Sequence, residues 1–82
     1  MKAIFNRGCD IEICVGFDED GECIFQQEWF AKGTPIEFEI IGHPTKMTPN
    51  GRVDDETMWD IQFHDGTMIM GLNSAWLTVF QD

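Results

Sequence analysis

Residues 58–72 contain a hairpin signal that constrains the fold of this chain more than any other feature. Apolar and polar residues alternate on both sides of an Asp65-Gly66 pair, which is the strongest short-range indication of a β-hairpin. A two-residue type I′ turn at this pair predicts that Trp59 lies opposite Leu72. The same register pairs His64 with Thr67, Phe63 with Met68 and Ile61 with Met70.

The two faces of this predicted hairpin differ in polarity, because opposed side chains in an antiparallel pair share a face. One face is entirely apolar and is predicted to join the core; it consists of Trp59, Ile61, Phe63, Met68, Met70 and Leu72. The other face is mostly polar and is predicted to meet solvent; it consists of Asp60, Gln62, His64, Thr67, Ile69 and Gly71.

A second hairpin is predicted upstream, where an alternating run over 10–17 ends in acidic residues and Gly21. A three-residue loop over 19–21, with Gly21 left-handed, sets apolar residues opposite each other, whereas a two-residue loop opposes them to polar ones. We therefore predict the three-residue loop. Its register pairs Phe17 with Cys23, Val15 with Phe25 and Ile11 with Trp29.

The middle of the chain carries a strand followed by a long segment without periodicity. Proline can open a strand but cannot sit centrally in one, so a strand is predicted to start at Pro35, with Ile41 facing outward. Residues 43–57 are predicted to form a loop that is either mobile or functional. A helix over 54–59 is the alternative there, and the alternation that begins at Trp59 favours a strand instead.

The last strand is predicted over 76–80, after one 3₁₀ turn over 73–75. Both faces of this strand are apolar. If Leu77 and Val79 fill the core, Trp76 and Phe80 lie on the surface and mark a contact region. The alternative is that the long loop covers the strand, so that both faces belong to the core.

Size and composition indicate one folded domain, residues 1–82. The chain has 82 residues, of which 43% are hydrophobic, and this excludes a disordered segment. A domain of this length buries little surface, so self-association is an expected source of additional stability. Three cysteines, an odd number, without a hydrophobic leader predict reduced thiols and a cytoplasmic location.

The charge balance restricts the kind of partner. Fifteen acidic residues against five basic ones give a formal net charge of −10. Nucleic-acid backbones and anionic membranes are bound mainly through Lys and Arg, so neither is expected as a partner. A basic protein or a cationic ligand fits the charge, as does a second copy held by apolar contacts.

The residue types needed for catalysis or metal binding do not occur in suitable patterns. His64 and Asp65 are adjacent and point to opposite faces of a strand, and Asp60 lies about 13 Å from His64 along it. The cysteines lack the two-residue spacing that chelates zinc. We therefore predict no enzyme activity, no catalytic residue, no metal and no cofactor.

Three runs resemble an SH3-like barrel, in which a Gly-Thr-x-Val strand, a Trp-x-Val-x-Phe-x-Asp-Gly hairpin and a closing 3₁₀ turn recur. The runs cover about the C-terminal half; they are residues 32–38, 59–66 and 72–77. The resemblance implies an all-β fold: a small antiparallel barrel of five to seven strands. Peptide-binding SH3 domains use Tyr and Trp in their groove, and this chain has no tyrosine, so proline-rich ligands are not expected. As a whole, the short acidic chain resembles orphan products of integron cassettes and phages.

These observations favour a non-enzymatic interaction module that self-associates and binds a basic protein or cationic partner. The predicted interface consists of Ile41, Ile69, Trp76 and Phe80. A cationic small-molecule barrel is the alternative, with a predicted pocket formed by Trp29, Trp59, Glu28 and Asp60. A further alternative is an acidic face that mimics nucleic acid and blocks a basic protein.

Overall fold

Strands form nearly all of the regular structure in residues 1–80, which are the residues that the computed structural model describes. The strands are Lys2–Phe5 (β1), Cys9–Phe17 (β2), Cys23–Phe30 (β3), Pro35–Gly42 (β4), Thr45–Thr48 (β5), Gly51–Asp54 (β6), Met58–Phe63 (β7), Met68–Asn73 (β8) and Leu77–Phe80 (β9). A 3₁₀ turn, Ser74–Trp76, precedes β9. The predicted all-β fold class is therefore confirmed, as is the 3₁₀ turn before the last strand.

Seven of these strands make one antiparallel sheet in the order β3-β2-β8-β7-β4-β1-β9. The sheet curves back on itself, because Phe5 in β1 stacks on Phe30 in β3 with ring centroids 4.7 Å apart, although four strands separate β1 from β3 in the sheet order. The backbone N–H of Gly33 donates to the carbonyl oxygen of Phe5 at 2.7 Å and extends the β1–β4 pairing beyond Pro35. Strands from opposite sides of the sheet thus share one core.

The core is formed by side chains from almost every strand of this sheet. Phe5, Phe38 and Ile61 are completely buried, and burial of an aliphatic or aromatic side chain of this size contributes roughly 1.5–3 kcal/mol. The buried cluster consists of Ala3, Phe5, Cys9, Ile11, Phe38, Ile61, Ile69, Leu72 and Leu77.

The turn between β7 and β8 differs from the predicted two-residue type I′ turn. Phe63 N–H donates to the carbonyl of Thr67 at 2.8 Å, and Gly66 N–H donates to the carbonyl of Phe63 at 3.0 Å. The loop therefore has three residues, of which only Gly66 has a positive φ, +91°. The prediction was wrong because a single left-handed glycine closes the three-residue loop and spares Asp65 the strain of a positive φ.

This extra loop residue shifts the register near the turn, and a bulge restores it farther away. Ile61 lies opposite Ile69 instead of Met70, whereas Trp59 lies opposite Leu72 as predicted. Between these two pairs, Met70 and Gly71 oppose a single residue, Asp60, whose carboxylate Oδ1 accepts the Gly71 N–H at 2.8 Å. As a result Ile69 is 1% exposed and Met70 is 49% exposed, the reverse of the predicted arrangement.

The hairpin of β2 and β3 has the predicted three-residue loop and a bulge that was not predicted. Phe17 pairs with Cys23, and Gly21 has a φ of +81°. The register then slips by one residue between Cys14 and Gly16. The predicted pairs of Val15 with Phe25 and of Ile11 with Trp29 are therefore wrong; Cys14 pairs with Phe25, Asp10 with Trp29 and Ile11 with Glu28.

The segment 43–57 contains a separate two-stranded hairpin, β5 and β6, joined at Pro49 and Asn50. Asp55 N–H donates to the carbonyl of Pro44 at 2.7 Å and closes the base of this hairpin. No helix forms over 54–59, in agreement with the preferred strand prediction, and β4 begins at Pro35 as expected. The radius of gyration is 13.6 Å, against about 12 Å for a compact domain of this length, because hairpins extend from the core.

A search of residues 1–80 for helices long and apolar enough to cross a bilayer found none.

The observed register predicts that two neighbouring substitutions differ widely in their effect on stability. Ile69→Ala should lower the free energy of unfolding by about 2–5 kcal/mol, because it leaves a cavity in the core. Met70→Ala should change it by less than about 0.5 kcal/mol, as for other surface positions. Urea denaturation of both variants measures the difference. A larger loss for Met70→Ala would show that the sheet has the two-residue-loop register instead.

The carboxylate of Asp60 is predicted to stabilise the β8 bulge. Asp60→Ala should lower the free energy of unfolding by about 1–3 kcal/mol, because the Gly71 N–H loses its acceptor in a half-buried position. Asp60→Asn keeps a carbonyl oxygen there and is the matched control, expected to retain most of the stability. Equal losses in the two variants, measured by denaturation, would contradict the hydrogen-bond explanation.

Candidate functional site

A shallow, widely open depression of about 550 Å³ lies between the β2–β3 hairpin, the start of β4 and the turn after β7. Its size falls within the range of sites that bind small ligands or single side chains. We call it the carboxylate cavity; its lining residues are Ile13, Glu28, Phe30, Pro35, Ile36, Glu37, Phe63, His64, Asp65 and Thr67.

The floor of the carboxylate cavity is apolar. Ile13, Phe30, Ile36 and Phe63 line it and also pack against the buried cluster. Each of these residues belongs to a different strand and points to the inner face of the sheet. The inward curvature of the sheet brings the four side chains together. The floor is therefore held by the core and does not depend on a mobile loop.

The rim of the cavity carries three carboxylates, those of Glu28, Glu37 and Asp65. Glu28 Oε1 accepts a hydrogen bond from Gln26 Nε2 at 2.8 Å, and Glu37 Oε1 lies 3.9 Å from His64 Nε2. The described lining includes no Lys or Arg. The rim thus presents negative charge beside an apolar surface.

Asp65 is held in place by its own turn. Its Oδ1 atom accepts hydrogen bonds from the hydroxyl of Thr67 at 2.7 Å and from the backbone N–H of Thr67 at 3.0 Å. These bonds, the hydroxyl first, lower the pKa of Asp65 below its ordinary value. The carboxylate therefore remains ionised at neutral pH, and its position is fixed relative to the cavity.

The structure places only one of the four predicted ligand residues in this cavity, Glu28. Trp59 packs against the core, with its ring centroid 6.1 Å from that of Phe38. Asp60 accepts the backbone N–H of Gly71. Trp29 is 65% exposed and lies against Gly8, where an added Cβ would be 2.6 Å from the indole. The two tryptophans therefore do not form a shared pocket.

The four predicted interface residues do not form one exposed surface. Ile69 is buried in the core, so its predicted exposure is wrong. Trp76 is half-buried, packs against the same core and lies 5.9 Å from the Arg7 guanidinium carbon. Ile41 in β4 and Phe80 in β9 are both exposed, as predicted. The 3₁₀ turn thus contributes a half-buried aromatic residue, Trp76, and β9 an exposed one, Phe80.

Sequence reasoning missed most of the lining of the carboxylate cavity. The sequence pattern predicts Asp65 only as a turn residue and gives no functional role to Phe30, Ile36 or Glu37. Each of these assignments is local, whereas the cavity joins β3, β4 and the β7–β8 turn. The sequence does contain the three carboxylates, Glu28, Glu37 and Asp65, but their spacing is not that of any recognisable binding motif.

The cysteine thiols are not arranged for nucleophilic or metal chemistry. Cys9 and Cys14 are buried, and Cys23 is half-buried. A hydrogen bond with the Cys14 thiol, followed by desolvation, raises the pKa of Cys23, which disfavours the reactive thiolate. In residues 1–80 no three His, Cys, Asp or Glu side chains are grouped closely enough to hold a metal ion.

Comparisons with protein-family models, with curated proteins and with solved structures find no match to this chain. The resemblance to SH3-like barrels and to integron-cassette or phage products therefore stays a prediction.

Removal of the Thr67 hydroxyl is predicted to raise the pKa of Asp65 towards its ordinary value of 3.8. The lowered pKa gives stability that is present above the unfolded-state value and is lost as pH falls through the folded-state value. Thr67→Val should therefore be less stable than the wild type at neutral pH, and the difference should disappear in acid. Carbon-detected NMR titration of the Asp65 carboxyl group measures the shift.

The Asp55–Thr57 turn provides the control for this experiment. Thr57 makes the same pair of hydrogen bonds to Asp55 and lowers its pKa, at a distance from the carboxylate cavity in the chain. Thr57→Val should raise the pKa of Asp55 and leave that of Asp65 unchanged. If Thr67→Val leaves the Asp65 titration unaltered, the hydroxyl is not the cause.

Proposed function

We propose that this protein is a non-enzymatic interaction module that binds a basic protein by accepting a Lys or Arg side chain in the carboxylate cavity. The observation that carries the proposal is the combination of three rim carboxylates with an apolar floor in one cavity. A long cationic side chain has matching chemistry, because its aliphatic stem can lie on apolar surface while its charged end reaches the carboxylates.

The charge distribution supports a basic partner beyond the cavity itself. Residues 8–31 contain no Lys or Arg. Every charged residue in this segment is acidic: Asp10, Glu12, Asp18, Glu19, Asp20, Glu22 and Glu28. This segment is the β2–β3 hairpin, which forms one wall of the cavity. Its field would attract a basic surface and accelerate association at low ionic strength.

Binding of an oligoarginine peptide, followed by ¹H–¹⁵N NMR, tests this proposal. We expect saturable shifts in the amides of residues 28–30, 36–37 and 63–67. The double variant Glu28→Gln and Glu37→Gln should weaken binding at least about tenfold, because two charge-assisted contacts become neutral ones.

The matched control makes the same change of charge on the exposed β2–β3 loop. Glu19→Gln with Glu22→Gln removes two negative charges that do not line the cavity. If this control weakens binding as much as the cavity variant, the peptide binds to net charge and the proposal fails. Shifts spread evenly over all acidic strands would have the same meaning.

A free organic cation is the alternative ligand for the same cavity. Its volume and apolar floor fit a small amphiphilic cation as well as a side chain. Titration with benzyltrimethylammonium distinguishes the two ligands. Tighter binding of this compound than of the peptide would favour the small-molecule alternative. The nucleic-acid mimic stays a prediction, to be tested by competition with DNA for a basic protein.

A further inference from the structure

One long edge of the sheet has no partner in residues 1–80. β3 is the terminal strand of the sheet order and pairs only with β2. It has eight residues, twice the length of β9 at the opposite end. A free edge presents a row of unpaired N–H and C=O groups, which favours pairing with another strand.

β3 lacks the features that usually protect such an edge. It contains no Lys, Arg or Pro, and its register slips only on the β2 side of the hairpin. Its one charged residue is Glu28, which already accepts a hydrogen bond from Gln26. Instead the strand exposes large apolar side chains, and Phe25 is 54% exposed; the others are Ile24 and Trp29.

The direction of the backbone groups defines how a partner can pair. Asp18 N–H donates to the Glu22 carbonyl, so the even-numbered residues of β3 direct their N–H and C=O groups towards β2. Odd-numbered residues alternate with them and direct these groups to the free side. The outward groups therefore belong to Cys23, Phe25, Gln27 and Trp29.

We propose that two copies of this chain associate through β3, antiparallel, about a two-fold axis at Gln27. In this register Phe25 lies opposite Trp29 of the second copy, and the symmetry repeats that pair. On the other face Ile24 lies opposite Phe30, and Gln26 opposite Glu28. The contact is isologous, so it closes as a dimer.

The sequence of β3 favours a second copy over an unrelated peptide. In the proposed register apolar residues oppose apolar residues, and each Glu28 carboxylate faces a Gln26 amide that can donate to it. No two charges of the same sign are opposed, although the chains each carry a net charge of −10. Two-fold symmetry produces these favourable pairs from the β3 sequence alone. A strand from another protein would need a sequence complementary to β3.

Sedimentation equilibrium over a wide concentration range tests the proposal. We expect a monomer–dimer equilibrium for the wild type. Phe25→Lys should raise the dissociation constant at least about a hundredfold, since each dimer loses two buried aromatic side chains and gains two charges at the edge. Phe80→Lys places the same charge at an equally exposed aromatic residue of β9 and should leave the dimer intact. A monomeric wild type, or a dimer lost in Phe80→Lys and kept in Phe25→Lys, would overturn the assignment.

Cross-linking tests the register without relying on a destabilising variant. Gln27→Cys places two thiols opposite each other on the axis, at a spacing that a disulfide can bridge. Mild oxidation should then convert this variant to a covalent dimer. Glu12→Cys, opposite Gln27 on β2, is the control and should stay monomeric on a non-reducing gel. Equal cross-linking of both variants would contradict the proposed axis.

Salt separates this contact from cation binding in the carboxylate cavity. Added salt should strengthen the dimer, because it screens the repulsion between two acidic chains. It should weaken the binding of an oligoarginine peptide. Weakening of self-association by salt would show that the copies are joined by opposite charges and would exclude the β3 contact as the main one.

Discussion

The stacking of Phe5 in β1 on Phe30 in the edge strand β3 brings strands from opposite sides of the sheet together, and the shared core depends on this side-chain closure. A seven-stranded sheet in a chain of 82 residues has few helices or loops with which to cover its apolar side. By curving until β3 meets β1, the sheet covers its own inner face. Phe38, Ile61 and Ile69 are then buried against the same cluster, and nearly all of the hydrophobic stabilisation comes from this one core.

The curvature also explains two of the three register shifts in the sheet, the bulges in β2 and β8. Bulges increase local twist and bend a strand, which an inward-curving sheet requires. One bulge in β2 turns Cys14 inward and leaves Val15 exposed. In β8 the three-residue loop turns Ile69 inward, and the bulge at Met70 and Gly71 then returns Leu72 to the core, with the Asp60 carboxylate accepting the N–H of Gly71. In both hairpins, the residues that face the core are determined by the loop and the bulge as well as by the alternation of apolar and polar residues.

The two proposed contact surfaces, the carboxylate cavity and the free edge of β3, both result from the way the sheet curves. The carboxylate cavity exists because the β2–β3 hairpin, the start of β4 and the β7–β8 turn converge where the sheet curves. The free edge of β3 exists because closure is made by side chains and not by hydrogen bonds between β3 and another strand of the described chain. A module of this kind has two contact regions, one acidic and concave, the other extended and mostly apolar, and they share Glu28 and Phe30.

The sequence by itself determined the properties that depend on neighbouring residues. Alternation and turn residues predicted an all-β domain, the three-residue loop ending at Gly21, the start of β4 at Pro35 and the 3₁₀ turn before the last strand. Only the tertiary structure decided which of Ile69 and Met70 is buried, whether Trp76 is core or surface, and that Glu28 meets Glu37 and Asp65 across a cavity. A one-residue slip in a strand reverses its faces, and such slips arise from curvature that the whole sheet imposes. The convergence of β3, the start of β4 and the β7–β8 turn on one depression likewise follows from the curvature of the whole sheet, which no local pattern encodes.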